Sequence, residues 1–319
     1  MVDRPSHVRR VGRWLARAAL ALFGVVCVLA AAGAAYQAVA SEADCRALPA
    51  PGRLGDVGGY RLHLHCLGSG GPTVILESAL GAGCSAWGWV QPGLADITRV
   101  CAYDRAGEGW SELGPDPRDA TQVAGELHTL LSQAGVGGPL VLVGHSFGGL
   151  YTRVHAGHYP EQVVGMVLID ASHPDQWTRT AEGAAIQRSN HLSAAAAPWL
   201  ARFGLLRLSG YMRIDPDLPP QQQVELRAFT NGTRLWDTYA AVFRVVDETM
   251  AEVRASGTLG SMPLSVLTAT EHGFSAEMEQ LQVELVGLSS NSRQQIVAGA
   301  HARVPGRQSR AGAPDCSQH

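Results

Sequence analysis

Lysine is missing from this chain of 319 residues, and all 25 of its basic side chains are arginines. That absence excludes Schiff-base chemistry, a Ser-Lys dyad and a P-loop lysine, because each needs an amine that can change charge or reach a phosphate. Net charge is also small, at -3. No block of basic residues occurs beyond the N-terminus, so the electrostatic footprint of a nucleic-acid-binding protein is lacking. No histidine or cysteine spacing suits a metal, and no residue pattern calls for an organic cofactor. Six cysteines are present. Cys27 lies in an apolar run and Cys316 near the C-terminus. One disulfide among Cys45, Cys66, Cys84 and Cys101 would suit an oxidising compartment, although a cysteine inside a strand, as at Cys66 or Cys101, is by default a small buried hydrophobe.

A hydrophobic content of 46% supplies the core of one large α/β domain. Ahead of it, Arg4, Arg9, Arg10, Arg13 and Arg17 precede an uncharged stretch from Ala18 to Ser41. Basic residues before an apolar segment keep that end cytoplasmic, and the stretch exceeds the roughly 20 residues needed to span hydrocarbon. Residues 1–40 are therefore expected to be a signal anchor, with 41–52 a linker that lifts the following domain off the membrane on its outer side. Ala38-Val39-Ala40 also forms an A-x-A cleavage site, and cutting after Ala40 would secrete the domain instead.

The rest of the chain is organised around Val141-Leu142-Val143-Gly144-His145-Ser146-Phe147-Gly148-Gly149-Leu150. An apolar run suited to a buried strand meets Gly-x-Ser-x-Gly and then a stretch that can form a helix through Tyr159. This order fits a nucleophile elbow, a strand-to-helix turn so sharp that its serine is strained and its hydroxyl exposed. Ahead of it, 53–57 and 60–67 read as a hairpin joined at Gly58-Gly59, with His63 and His65 as solvent-facing strand residues. Strands at 73–77 and 98–103, helices at 85–94 and 120–134, a strand at 163–169 and a resumed strand at 263–268 alternate along the chain. A helix at 275–288 and a last strand at 294–297 complete the series. Alternation of this kind argues for a mostly parallel sheet wrapped by helices, with an antiparallel hairpin at its start. Residues 175–261 interrupt the alternation and read as an inserted helical lid, in which Met212, Phe229, Trp236, Tyr239 and Phe243 offer an apolar substrate wall or ordinary core. Asp104-Arg105, at a strand end, reads as a brace between loops.

On these motifs the region from Arg53 to His301 resembles α/β-hydrolase-fold serine hydrolases of the esterase and lipase type. The resemblance implies the chain order nucleophile, acid, histidine, filled here by Ser146, an acid and His301. It places the acid either at Asp170, closing the strand at 163–169, or at Glu271, in the position after the lid. Asp170 is favoured because its shorter side chain at a strand end is better fixed to hold an imidazole. The amides of Leu80, in the small-residue loop 78–83, and of Phe147 would form the oxyanion hole. A serine at 146 suits acyl transfer, whereas the haloalkane dehalogenases and epoxide hydrolases of this fold use aspartate there. The implied substrate is a small-molecule acyl ester, with a lactone, thioester or amide next, and no metal or cofactor. An acyltransferase, or a catalytically silent ligand-binding protein of the same fold, remains an alternative. The family normally continues with a helix after its histidine. Residues 302–319 lack any apolar period, read as a disordered tail, and resemble the product of a shifted reading frame near residue 300.

Overall fold

The computed structural model describes residues 5–212, 214–269 and 276–297. Among the described residues, eight strands form a single sheet in the order β1-β2-β4-β3-β5-β6-β7-β8. The first two, β1 (Arg53–Asp56) and β2 (Arg61–Leu67), make the expected antiparallel hairpin, with Arg53 opposite Leu64 and Asp56 opposite Arg61. Gly58 and Gly59 turn it at φ 118° and 101°. Asp56 Oδ1 accepts both of their amides, at 2.8 and 3.1 Å, a geometry that requires residues without a Cβ.

β2 also runs antiparallel to β4 (Val100–Tyr103), and their register sets Cys66 opposite Cys101. The two form a disulfide. The sequence default of two small buried hydrophobes is thereby corrected, because strand pairing brings together thiols that are 35 residues apart in the chain.

From β4 onward the pairing is parallel through β3 (Thr73–Glu77), β5 (Leu140–His145), β6 (Val163–Ile169), β7 (Leu264–Ala269) and β8 (Ser292–Val297). Alternate residues of one strand serve opposite faces of the sheet. Ile75 joins Leu127, Leu130, Leu131 and Leu142 on one side, while Val74 and Leu76 join Trp87 and Val143 on the other. The period expected of α3 (Ala120–Gln133) is realised, and its N-terminus is capped by Asp119, which accepts the Gln122 amide at 2.8 Å. Residues 84–95 are less regular than expected. They form a short 3-10 turn, Cys84–Trp87, and then α2, Val90–Ala95.

Between β6 and β7 lies a layer of six helices: α5 (Gln176–Arg179), α6 (Ala181–Arg202), α7 (Leu205–Ser209), α8 (Pro220–Thr230), α9 (Thr233–Arg244) and α10 (Val246–Ala255). α11 (Ala276–Val286) then packs Leu281 and Leu285 in the core.

The N-terminal helix α1 is continuous from Pro5 to Ala47, and residues 10–47 are long and apolar enough to cross a membrane, with an apolar 18-residue stretch of which no residue is buried in the protein. Its C-terminal end is fastened to the lid. Gln37 Nε2 donates to Asn231 O at 2.7 Å, Arg207 donates to Gln37 Oε1 at 3.2 Å, and Arg207 pairs with Asp44 at 2.7 Å. Leu48 is buried and its carbonyl accepts from Trp110 Nε1 at 2.8 Å. Gln37, Asp44 and Leu48 thus dock this end of α1 on the domain through partners that the sequence does not announce. A cavity of about 370 Å³ lies in this junction, lined by Ser41, Asp44 and Cys45 of α1 with Trp110, Phe229 and Arg234.

Candidate active site

β5 turns directly into α4 (Gly148–His158) at Ser146, which has φ 51°. A left-handed backbone at a serine is strained, and two bonds over-determine it: the Ser146 amide donates to Ile169 O at 3.1 Å, and its carbonyl accepts from Ser172 N at 2.9 Å. Ser146 is half-buried in a run that is otherwise buried from Leu142 to Ala156, so a reagent can reach it. The glycines permit the turn. A Cβ at Gly148 would collide with the carbonyls of Glu77 and Ser78, and one at Gly144 would lie 2.7 Å from Gly149 Cα. The first of these close approaches also presses the elbow against the loop that begins at Ser78, the loop proposed from the sequence to supply the second oxyanion donor.

That loop is held by a buried charge cluster at the foot of β3 and β4. The Arg105 guanidinium donates to Ser78 O and Ala79 O, each at 2.8 Å, pairs with Glu77, and donates to both Glu108 oxygens at 3.0 and 2.9 Å. Glu108 in turn accepts the Gly81 amide at 3.1 Å, and Tyr103 donates its hydroxyl to Glu77. Two carbonyls and one amide flanking Leu80 are therefore pinned. The brace expected at Asp104-Arg105 exists, but its acidic members are Glu77 and Glu108, whose contacts across β3 and β4 no sequence spacing reveals. Replacing Arg105 with methionine is expected to cost about 3–5 kcal/mol, because two buried carboxylates lose their counter-charge. Urea unfolding of the full chain checks this, and a loss below about 1 kcal/mol would mean that the cluster does not hold the loop.

Burial pushes the Glu77 carboxyl up to about 7, against the opposing pull of Arg105, and raises Glu108 as well. Between the ordinary Glu77 value of 4.5 and about 7, the folded chain holds a proton that the unfolded chain has released. Stability from this group is therefore full at the acid end of that window and falls as pH rises through it, by on the order of 3 kcal/mol. Denaturation midpoints measured across the window should show this fall, and Glu77→Gln should flatten it. An unchanged slope in that variant would assign the effect elsewhere.

Asp170 follows β6, next to Ser146 in the sheet order, and it too has a positive φ, 42°. Its Oδ1 accepts the amide of Ala269, the last residue of β7, at 2.8 Å, which fixes the carboxylate at the C-terminal edge of the sheet. Glu271 and His301 lie outside the described residues, two positions beyond the end of β7 and four beyond the end of β8.

Three other described histidines are bonded to groups away from Ser146. The His155 ring is bonded to Ala124 O at 3.3 Å, and burial takes its pKa down to about 4. His173 Nδ1 accepts the Asp175 amide at 3.1 Å. His63, expected to face solvent, is fully buried. Its Nδ1 lies 2.8 Å from Asp104 Oδ2, and its Nε2 accepts the Gly52 amide at 3.2 Å. The correction follows from the loop after β4 folding over this side of β2, with Asp104 bonded to the imidazole and the Trp110 ring 4.9 Å from it. With Cys84 Sγ at 3.6 Å from Nδ1, His63 and Asp104 form, among the described residues, a compact group of metal-ligating types. Asp104 already accepts the Cys84 and Trp110 amides at 2.6 and 3.1 Å, so protein donors use its oxygens and the group ties Gly52 to the sheet.

Around the elbow, the Phe147 ring packs against Tyr151, Trp177 and Phe243 at 5.9 to 6.3 Å between centroids, and Leu80 and Tyr239 border the same cluster. Phe243 and Tyr239 thus join a packed apolar cluster against the elbow, which is the ordinary-core reading of the lid aromatics. Trp236 is instead buried between lid helices, Phe229 meets Trp110 edge to face and Met212 is exposed. Trp177 belongs to the same cluster and was not singled out from the sequence, where it stands as one aromatic in a polar stretch.

A mostly parallel sheet carrying a strained serine between its fifth strand and the following helix, beneath a helical lid, defines the class. The chain belongs to the alpha/beta hydrolase family, whose profile it matches over residues 62–300. It is 44% identical over 82 residues to an uncharacterized protein of Schizosaccharomyces pombe, a match covering 26% of this chain and 15% of that one. The first curated relatives it matches are covered over 15% to 44% of their own length. Among solved structures, an epoxide hydrolase shares the fold with a TM-score of 0.64 at 19% identity, over 79% of this chain and 92% of that one. An enol-lactonase from Burkholderia xenovorans LB400 does so with a TM-score of 0.57 at 20% identity, over 76% and 90%.

Proposed function

We propose that the protein hydrolyses carboxylic esters through an acyl-enzyme on Ser146. The observation that carries this reading is the serine itself, held at φ 51° and within reach of solvent at the β5–α4 turn. In the proposed cycle His301 removes the hydroxyl proton as Ser146 Oγ attacks the carbonyl carbon, and Asp170 steadies the resulting imidazolium. The amides of Leu80 and Phe147 receive the charge that develops on the carbonyl oxygen. His301 then protonates the leaving alcohol, and a water activated by the same imidazole releases the acid. The apolar cluster of Phe147, Trp177, Tyr239 and Phe243 supports an ester with an apolar acyl group. A serine nucleophile favours acyl transfer over ring opening of an epoxide, which passes through an alkyl-ester intermediate on a carboxylate.

α1 is proposed to hold the domain outside the cytoplasm, with its arginine-rich end inside. The Cys66–Cys101 disulfide supports an oxidising compartment, and the docking of Gln37 on the lid favours a helix that stays attached. A fluorophosphonate probe applied to membranes containing the full chain tests the catalytic reading. Labelling is expected in the wild type and absent in Ser146→Ala. A folded wild type that takes no label would overturn it and leave the silent ligand-binding protein as the better account.

A further inference from the structure

We propose that the lid is itself seated in the outer face of the bilayer that α1 crosses, with α6 and α7 at headgroup level. The inference rests on the reading of α1 as a membrane span. It begins with an inverted pattern on α6, where Leu192, Ala195, Ala196 and Trp199 are all exposed although all are apolar. Their spacing of three, four and seven places them on one face of the helix. The opposite face, through Ala197 and Ala201, is buried against Leu206 and Trp236. From Leu192 to Leu200 there is no charged residue and Ser193 is the single polar one, so this half of α6 is apolar on nearly every side. A helix of that kind belongs either inside a protein or against lipid, and among the described residues no protein surface covers its outer face.

The exposed patch continues past the end of α6 through Leu205, Leu208 and Tyr211, which are 48%, 68% and 56% exposed. Contact with α1 fixes where this patch lies. A Cβ at Gly33 would collide with Phe203 O, and one at Gly204 would lie 3.1 Å from the Tyr36 ring. The turn between α6 and α7 is therefore pressed on α1 at Gly33 and Tyr36. Nineteen residues separate Arg17, the last charge before the apolar run, from Tyr36, and that is about 29 Å of helix. The hydrocarbon core is about 30 Å thick.

With Arg17 at the inner boundary, Tyr36 reaches the outer one, and the turn carrying Phe203 and Gly204 stands at the same depth. Trp199, Tyr211 and Tyr36 then occupy the level that tryptophan and tyrosine favour. Arg202 and Arg207 keep their charges on Asp237 and Asp44, away from the apolar face. Lipid thus covers a surface that would otherwise be bare, and it lies against the helices roofing Ser146. An ester dissolved in the outer leaflet would meet the lid without first entering water.

The test places nitroxide labels on the full chain in phosphatidylethanolamine–phosphatidylglycerol vesicles and compares collision with oxygen and with a water-soluble nickel chelate. Cys27→Ala, Cys45→Ser and Cys316→Ser form the background, since Cys27 and Cys45 are exposed thiols while Cys84 is buried. Single labels enter through Leu22→Cys in α1, Leu192→Cys and Leu208→Cys on the lid, and Ile97→Cys. Ile97 precedes β4, at the edge of the sheet opposite the elbow, and is 78% exposed. Oxygen is expected to dominate at Leu22, Leu192 and Leu208, and nickel at Ile97. If Leu22 reads as lipid-embedded while both lid sites match Ile97, the lid inference is overturned and the anchor stands. If Leu22 itself reads as aqueous, the anchor reading fails and the seating of the lid fails with it.

Discussion

Alanine at position 146 is expected to lower kcat/KM for p-nitrophenyl esters by roughly 10,000-fold or more, leaving only what binding and the oxyanion donors supply without a nucleophile. The change should leave the fold intact. Alanine at φ 51° carries the same strain as serine, and the bonds that fix the turn are made by the Ser146 backbone to Ile169 and Ser172. The expected shift in unfolding free energy is within about 0.5 kcal/mol, so loss of rate and loss of structure separate cleanly. Activity retained above one-tenth of wild type in the purified variant would show that another group attacks the ester, and the proposed cycle would have to be abandoned.

Asp170→Asn should cost roughly 1,000- to 10,000-fold in kcat, while Glu271→Gln leaves kcat near the wild-type value. Asparagine keeps a side-chain oxygen to accept the Ala269 amide, so the loop after β6 holds its shape. It has no charge with which to stabilise the imidazolium that forms during attack. Steady-state kinetics of the two variants, measured side by side across pH, decide between them. The reverse pattern, a silent Asp170→Asn and a crippled Glu271→Gln, would move the acid to the position after the lid and reduce Asp170 to a support for the end of β7.

Local signals made much of this molecule readable in advance. The run from Val141 to Val143 followed by Gly-x-Ser-x-Gly is a contiguous pattern, and it folds into the strand, strained serine and helix that such a pattern encodes. The alternation of apolar runs and amphipathic stretches likewise gives the parallel pairing of β3 to β7, because burial of a strand on both faces leaves a trace in the strand itself. What escaped depends on partners far along the chain. Alternation alone sent His63 toward solvent, and only the arrival of Asp104 and Trp110 from another segment buries it. Cys66 and Cys101 could be paired only once the β2–β4 register was known. The clamp of Arg105 on Glu77, Glu108 and the loop before Leu80 is made of residues each ordinary in its own neighbourhood. For the candidate site, the strained serine turn was therefore legible, whereas the brace behind the loop around Leu80 was not.

The way α1 ends has a practical side. Trimming the gene at the A-x-A sequence, the obvious route to a soluble preparation, would begin the protein at Ser41. It would strip away Gly33, Tyr36 and Gln37 while keeping Asp44 and Leu48. The Phe203–Gly204 turn and the Asn231 carbonyl would lose their neighbours, and the oily seam so uncovered would invite clumping during purification. A detergent-solubilised whole chain is the sounder starting material for enzymology.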